Sequence, residues 1–345
     1  MTLQVVQIDP LDPAQNAVFF EWHRVLDDVA AEVYGEWRTI YSPDEVRARH
    51  RLEPTVQLRE LAAIQDGAVV GTLEAELPLA DNRHRVELYV TVRPDLRRRG
   101  VGSRLLRAAH ELAAGAGRTV LGGYSEATID SDLSAAHYFA THHGFEVAQT
   151  ELRSDLVLPV PEGGLTALEA EACRHTTEYE ILSSVDGIPE EWLAGRAELA
   201  RSMSVDVPLG GLDYQEELWD EARVRGTYEL ARAQGRRSFE SIARHRATGD
   251  LVGYTTLQAP AHTPRHALQW DTLVRDDHRG HRLGLALKIA NLRTLRAELP
   301  AVERISTWNA RDNEPMLRVN QDLGFEVVGS HTEWQKRLPS ARASG

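Results

Sequence analysis

Two stretches of this chain repeat each other about 180 residues apart. Arg97 in "LRRRGVGSRLL" has its counterpart at Arg279 in "HRGHRLGLALK", 182 positions on, and the pair Gly144-Phe145 recurs as Gly324-Phe325, 180 positions on. The order of apolar patterns between these markers also repeats. A period of this length is too long for a solenoid, so each copy is expected to be a domain with its own core. A chain of 345 residues is in any case beyond what a single core ordinarily serves. The domains are expected at 1–160 and 176–340. Residues 161–175, flanked by "LPVPEGG" and rich in acidic residues, are read as a linker.

Within the first copy, "LQVVQI" alternates like a short strand, and "NAVFFEWHRVLDDVAAEVYGEW" carries a helical pattern. Ser42 before Pro43 marks the start of a short helix. Two strand-like runs meet at Asp66-Gly67, a hairpin signal, and a third, "RVELYVTV", runs into the arginine-rich turn. The helix opened by that turn places Leu105, Leu106, Ala109 and Leu112 on one face. A strand "RTVLGGYS", a helix "SAAHYFATHHG" and a strand "FEVAQTELR" follow. The second copy repeats the order, with helices through "EEWLAGRAELARSM" and "EELWDEARVRGTYELARAQG" and a Gly-Asp hairpin signal at Gly249-Asp250. Hairpins dominate, and only the later strands alternate with helices, so the fold class is α/β with a mixed, mostly antiparallel sheet flanked by helices.

In each copy an apolar strand enters a turn that opens a long helix. The turns read Arg97-x-x-Gly100-x-Gly102 and Arg279-x-x-Arg282-x-Gly284. Glycines at such a turn let backbone N–H groups converge, and the helix N-terminus adds the positive end of its dipole, which suits an anion such as pyrophosphate. Taken alone, the motif is equally consistent with a turn glycine beside a solvated basic face.

The turn, the strand after it, and a helix ending in Gly-Phe-Glu ("HHGFEV", "DLGFEV") together resemble the GNAT superfamily of N-acetyltransferases. The family pattern at this loop is Gln/Arg-x-x-Gly-x-Gly/Ala. The resemblance covers both halves and is similar to the tandem arrangement of mycothiol synthase and other actinobacterial acyltransferases. It implies acetyl-CoA, or another acyl-CoA, as cofactor. The loop residues Arg97, Arg98, Arg99, Gly100, Val101, Gly102 and Ser103, and in the second copy Arg279, Gly280, His281, Arg282, Leu283 and Gly284, would hold its pyrophosphate. It also implies that the fourth and fifth strands of each copy splay apart and that the pantetheine arm runs along fourth-strand backbone. That backbone is Tyr89 to Val92, including Val90 and Val92, and Asp271 to Val274, including Leu273 and Val274. Asn313 stands where the family commonly has asparagine near the arm, with Asn309 beside it at the end of the fifth strand, although capping a helix suits both equally well.

The same resemblance implies direct transfer to an amine. An alkyl ammonium titrates near ~10.4, so a group must take its proton. Glu87 and Asp271, carboxylates in otherwise apolar fourth strands, are the candidate bases; the alternative for Glu87 is a simple pairing with Arg83 or Arg85. Where family members commonly carry a tyrosine acid, the chain has Ala140 and Asn320, and Tyr138 is expected to pack. Leu133 stands where the first copy would carry asparagine. The second copy keeps Asn313, and the analogy with mycothiol synthase implies that the C-terminal domain is the catalytic one. The alternatives are a CoA-binding scaffold without activity and a protein-lysine acetyltransferase.

An excess of 52 acidic over 39 basic residues, net −13, argues against a nucleic-acid partner and mildly favours a cationic small molecule. No run approaches the ~18 apolar residues of a membrane span. The start "MTLQVVQIDP" is unlike a signal peptide, so a cytoplasmic location is expected. The single cysteine, Cys173, cannot form an internal disulfide. The pairs His142/His143 and His278/His281 lack further ligands at metal-site spacing, and no metal is expected. The oligomeric state is not readable.

Overall fold

The computed structural model describes residues 2–131, 135–206 and 208–339. The chain forms two compact units. One comprises Met1–Thr150, Leu209–Tyr214 and His331–Gly345, the other Glu151–Pro208 and Gln215–Ser330.

In the N-terminal unit the strands are β1 (Leu3–Ile8), β2 (Val56–Gln65), β3 (Ala68–Pro78), β4 (Arg85–Val92) and β5 (Val120–Thr128). They lie in that order, followed by the end of β12 (Glu326–Arg337). The pairs from β1 to β4 are antiparallel, and β4 with β5 is parallel. Asp66 and Gly67 both take positive φ, 52° and 82°, which gives the tight turn that the dipeptide signals. Helix α3 (Val101–Gly115) packs Leu105, Leu106, Ala109 and Ala113 on one sheet face, with Leu112 at its margin. The other face takes α1 (Asn16–Tyr34), whose Phe19, Trp22 and Val25 are buried, and α2 (Pro43–Leu52). Ser42 caps α2 as expected, in a capping box with Glu45: Ser42 Oγ accepts from Glu45 N at 3.3 Å and Glu45 Oε2 from Ser42 N at 2.7 Å. Helix α4 (Ala135–His142) completes the unit, and the chain leaves it within β6 (Glu146–Val157).

The C-terminal unit repeats this plan. Its strands run in the order β7 (Tyr179–Val185), β8 (Arg236–His245), β9 (Leu251–Pro260), β10 (His266–Val274), β11 (Arg304–Ala310) and the later part of β6. Here β10 and β11 form the parallel pair. The β2–β3 and β8–β9 hairpins carry an irregularity at the same place, between Ala63 and Ile64 and between Ala243 and Arg244, so the duplication extends to details of register. Helix α8 (Leu283–Glu298) covers one face; α6 (Leu193–Asp206) and α7 (Glu221–Ala233) serve the other. Helix α7 begins later than its pattern suggested, because Asp220 Oδ1 accepts from Arg223 N at 2.8 Å and sets the cap there.

Two expectations are corrected. Residues 161–175 are not a linker but α5 (Glu162–His175), whose Leu165 and Ala172 share a buried cluster with Leu285, Ile289 and Leu292 of α8. Arg293 of α8 ties α5 down through Glu162 at 2.9 Å and Glu169 at 2.6 Å. The simple boundaries at 160 and 176 also give way to units that each take in later or earlier segments of chain.

Lys288 of α8 departs from the apolar pattern. It is 3% exposed and sits at the position Leu106 holds in the first copy. Burial pulls its pKa down to about 7.

Candidate functional site: two anion loops and a splayed strand pair

The loops adopt one backbone design in both copies. Arg98 (φ 63°) and Gly100 (φ 83°) are left-handed in the first; Gly280 (φ 85°) and Arg282 (φ 54°) are left-handed in the second. The glycine and the arginine have exchanged places, so each loop keeps one strained non-glycine residue, at about 1–2 kcal/mol. Gly100 and Arg282 are the N-caps of α3 and α8, and neither helix has a side-chain cap bond. The first N–H groups of both helices are thereby left open to an outside acceptor. Arg97 Nε donates to Val92 O at 3.2 Å and Arg279 Nε to Val274 O at 3.1 Å, which anchors each loop to the end of its strand.

The loops differ in their charges. Arg98 and Arg99 are exposed, and Arg97 pairs with Glu32 at 3.0 Å. In the second loop Arg279 pairs with Asp276, and Arg282 is held by Glu171 of α5 and by Asp322 at 2.8 Å. Val101 and Leu283 are buried anchors that offer only main chain. Ser103 Oγ lies 3.0 Å from His143 Nε2. A Cβ on Gly102 would come within 2.9 Å of Phe139, whereas one on Gly284 would meet only Val319, at 4.0 Å. The backbone of both loops fits a pyrophosphate, and the first also keeps uncommitted cations for it.

Beyond each loop the parallel strands part. The ladder from β4 to β5 ends at Leu88↔Gly123, and that from β10 to β11 at Leu268↔Ser306. Past those points Val90, Val92, Leu273 and Val274 remain paired with β3 or β9. Their side chains pack into the cores, so a ligand arm would meet main chain there. Between Gln269 and Thr272 the β10 register slips, so that Trp270 and Asp271 bulge opposite Thr256; β4 has no such break.

The two candidate carboxylates have unlike settings. Glu87 Oε1 accepts from Arg85 Nε at 2.8 Å and from Tyr214 OH at 3.2 Å. Arg85 is fully buried and also donates to Gln335 Oε1 at 2.6 Å. Burial raises the Glu87 pKa while Arg85 and Tyr214 oppose the rise. Asp271, by contrast, is exposed at the bulge and accepts from Tyr254 OH at 3.0 Å.

The acetyltransferase (GNAT) family model matches residues 22–145. Among solved structures, a tandem GNAT protein from the clavulanic acid biosynthesis pathway aligns with 97% of this chain and 98% of its own, at 26% identity and TM-score 0.75. The chain has the tandem GNAT arrangement. A GCN5-related N-acetyltransferase from Sphaerobacter thermophilus shares the fold at 16% identity, over 98% of this chain and 96% of its own, with TM-score 0.64. No curated protein matches the sequence. The family match and the tandem neighbour support an acyltransferase, and GNAT proteins use acyl-CoA. No helix among the described residues is long and apolar enough to cross a membrane.

Other positions singled out in the GNAT reading resolve individually. Asn313 Oδ1 accepts from Met316 N at 3.3 Å, so its side chain caps α9 (Glu314–Leu323). Asn309 Oδ1 accepts from Asn320 Nδ2 at 2.7 Å, which commits this pair to each other. Asn313→Ala is expected to lower stability by about 1 kcal/mol in urea titration while leaving acetyl-CoA affinity unchanged. Ala140 is buried and, like Asn320, has no acid to offer. Tyr138 does not pack: it is 55% exposed. Leu133 lies outside the described residues.

A polar cluster on the α1 face of the N-terminal unit escaped the sequence reading. Glu60, Glu74 and Tyr89 are cross-strand neighbours, as are Glu76 and Glu87. The alternation in "TLEAELP" carries this signal: Leu73, Ala75 and Leu77 face α3, which turns Glu74 and Glu76 to the other side. His331 comes from far along the chain to stack on Tyr124 at 4.2 Å. Burial depresses its pKa, but Glu126 and Glu333 outweigh that and raise it to about 9.

Proposed function

We propose that the chain is an acyl-CoA-dependent N-acetyltransferase for a small amine and that the N-terminal unit carries out the transfer. The observation that carries this reading is the contrast between the loops: Arg98 and Arg99 stand exposed beside an uncapped helix start, whereas Arg282 is neutralised by Glu171 and Asp322. It departs from the family analogy that places activity in the C-terminal copy, whose Asn313 is engaged as a cap. The lone thiol of Cys173 accords with a cytoplasmic setting.

Acyl-CoA, when bound, supplies the acyl group as a thioester and departs as the thiol. Arg98, Arg99 and the first N–H groups of α3 bind the phosphates, and Val90 to Val92 align the arm through main chain. Glu87 stands one residue before the end of the β4–β5 ladder. Its pKa, raised by burial against Arg85, suits it to take the proton released by the acceptor ammonium, directly or through water. Arg85, buried and fixed by Gln335, keeps that carboxylate in place.

One observation favours a second reading: the bulge in β10 that turns Asp271 outward supports transfer in the C-terminal unit. Thiol release from acetyl-CoA across a panel of small amines separates the two. Turnover in Asp271→Asn within about twofold of the parent is expected, since a substitution in an uninvolved surface site is nearly neutral. Loss of turnover in that variant would move transfer to the C-terminal unit, and CoA binding without turnover of any amine would leave a scaffold.

A further inference from the structure

Six residues of irregular backbone, Leu209–Tyr214, belong to the N-terminal unit although they stand between α6 and α7 in the chain. A segment outside any helix or strand has no ladder to order it, so other contacts must offset its loss of backbone freedom. Here they are several. Gly211 N donates to Ala148 O at 2.8 Å, and Asp213 N to Gln335 Oε1 at 2.8 Å. Arg85 Nη1 donates to Asp213 O at 3.3 Å and to that same Gln335 oxygen at 2.6 Å. His84 Nε2 lies 3.0 Å from Asp213 O, and Arg337 Nη2 3.0 Å from Asp213 Oδ2. The segment is thereby fixed to β4, β6 and β12.

Its last residue delivers a phenol to the candidate base. The Tyr214 OH donates to Glu87 Oε1 at 3.2 Å, the oxygen that also accepts from Arg85 Nε at 2.8 Å. The Arg85 guanidinium lies over the Tyr214 ring, 4.1 Å from its centroid. Burial and the charge of Glu87 push the Tyr214 pKa up, so the hydroxyl keeps its proton and acts as a donor. On the other side β5 makes room. Gly122 is the ladder partner of Glu87, and a Cβ there would collide with Glu87 Oε2 and Arg85 Nη2. The remaining groups facing Glu87 are Glu76 across on β3, itself paired with Arg49 of α2, Tyr89 of β4 and Glu333 of β12. Burial favours the neutral acid at Glu87, and Glu333 adds to that; Arg85 and Tyr214 are what oppose it.

We propose that Tyr214 is a positioning residue of the N-terminal transfer site, its hydroxyl joining Arg85 to fix the ionised Glu87 carboxylate beside the point where β4 and β5 part. The proposal rests on the reading of Glu87 as the proton acceptor. It makes the first copy depend on a side chain 127 residues further along the chain.

The test is Tyr214→Phe, which keeps the ring over Arg85 and removes only the hydroxyl. The urea midpoints of parent and variant are expected to draw apart as pH rises from about 5 to about 8, because the lost bond stabilises the ionised carboxylate and is fully present only above the Glu87 pKa. In a Glu87→Gln background the same difference should stay level. A difference level with pH in the parent background would overturn the proposal. In thiol release from acetyl-CoA with 1-aminobutane or benzylamine, the acid limb of the kcat/KM profile is expected to move up by about one pH unit in Tyr214→Phe. On that limb kcat/KM then falls about tenfold, while KM for acetyl-CoA holds. An equal loss at every pH, with the limb in place, is what a merely structural role produces and would also overturn it. Midpoints that draw apart without thiol release from any amine would sink the transferase and leave the hold on Glu87 standing; thiol release with an unmoved limb would do the reverse.

Discussion

Reversing the two exposed loop charges, Arg98→Glu with Arg99→Glu, is expected to weaken acetyl-CoA binding to the full chain by about 100-fold or more. Hydrogen bonds to charged groups contribute about 1.5–3 kcal/mol each, and about 1.4 kcal/mol is tenfold in affinity. Both side chains are exposed and neither lies in a core, so the fold should survive the change. The matched control is Arg282→Ala, whose side chain already answers to Glu171 and Asp322 and whose loss should leave the affinity of the tighter site unchanged. Titration calorimetry reads both, and an unaltered affinity in the double variant would remove the first loop from the phosphate site. Gly102→Asp is a poorer probe than the motif suggests. Any side chain there meets Phe139 of α4, so a loss of binding would mix repulsion with displaced packing.

Lys288→Met is expected to stabilise the protein at neutral pH and to remove a pH dependence. The Lys288 pKa is about 7 in the folded chain against about 10.5 when unfolded. Between those values the unfolded chain binds more protons, so stability rises with pH across this window. Below pH 7 both states hold the proton, and the folded chain bears the whole penalty, about 5 kcal/mol by linkage. The ring of Phe325, 5.7 Å from Nζ, offsets little of it. Methionine keeps the length of the side chain without its charge. The urea midpoint of the parent relative to that of the variant should climb from about pH 6.5 to 9.5, since groups such as Glu60 and His331, raised to about 8 and about 9, titrate alike in both chains and cancel in the difference. A difference that does not move with pH would show that Lys288 reaches water.

Local chemistry accounts for what was legible in the sequence. Ser42-Pro43, Asp66-Gly67 and the two arginine-glycine turns each encode a backbone conformation within a few residues, and each is found as expected. The pairing of Glu87 with Arg85 was legible for the same reason, since residues two apart on a strand share a face. What stayed hidden depends on distant segments. Arg282 looked like an anion ligand because its partners Glu171 and Asp322 lie 111 and 40 residues away. The bulge beneath Asp271 leaves no trace in an apolar alternation. Residues 161–175 read as a linker because their composition turns to Pro, Gly and acidic residues, yet Leu165, Leu168 and Ala172 pack and dock the helix on α8.

The assignment of His331–Gly345 to the N-terminal unit bears on how the protein is made. Gln335 of that segment holds Arg85, and Trp334 donates its indole N–H to Ser125 Oγ at 2.8 Å. During synthesis the first unit therefore emerges from the ribosome without the strand that finishes its sheet, and must wait for it until the second unit has been made. A nascent chain stalled before residue 331 should accordingly be protease-sensitive in β4 and β5, and a gene cut at 160 should yield an N-terminal piece that lacks its closing strand rather than an independent enzyme.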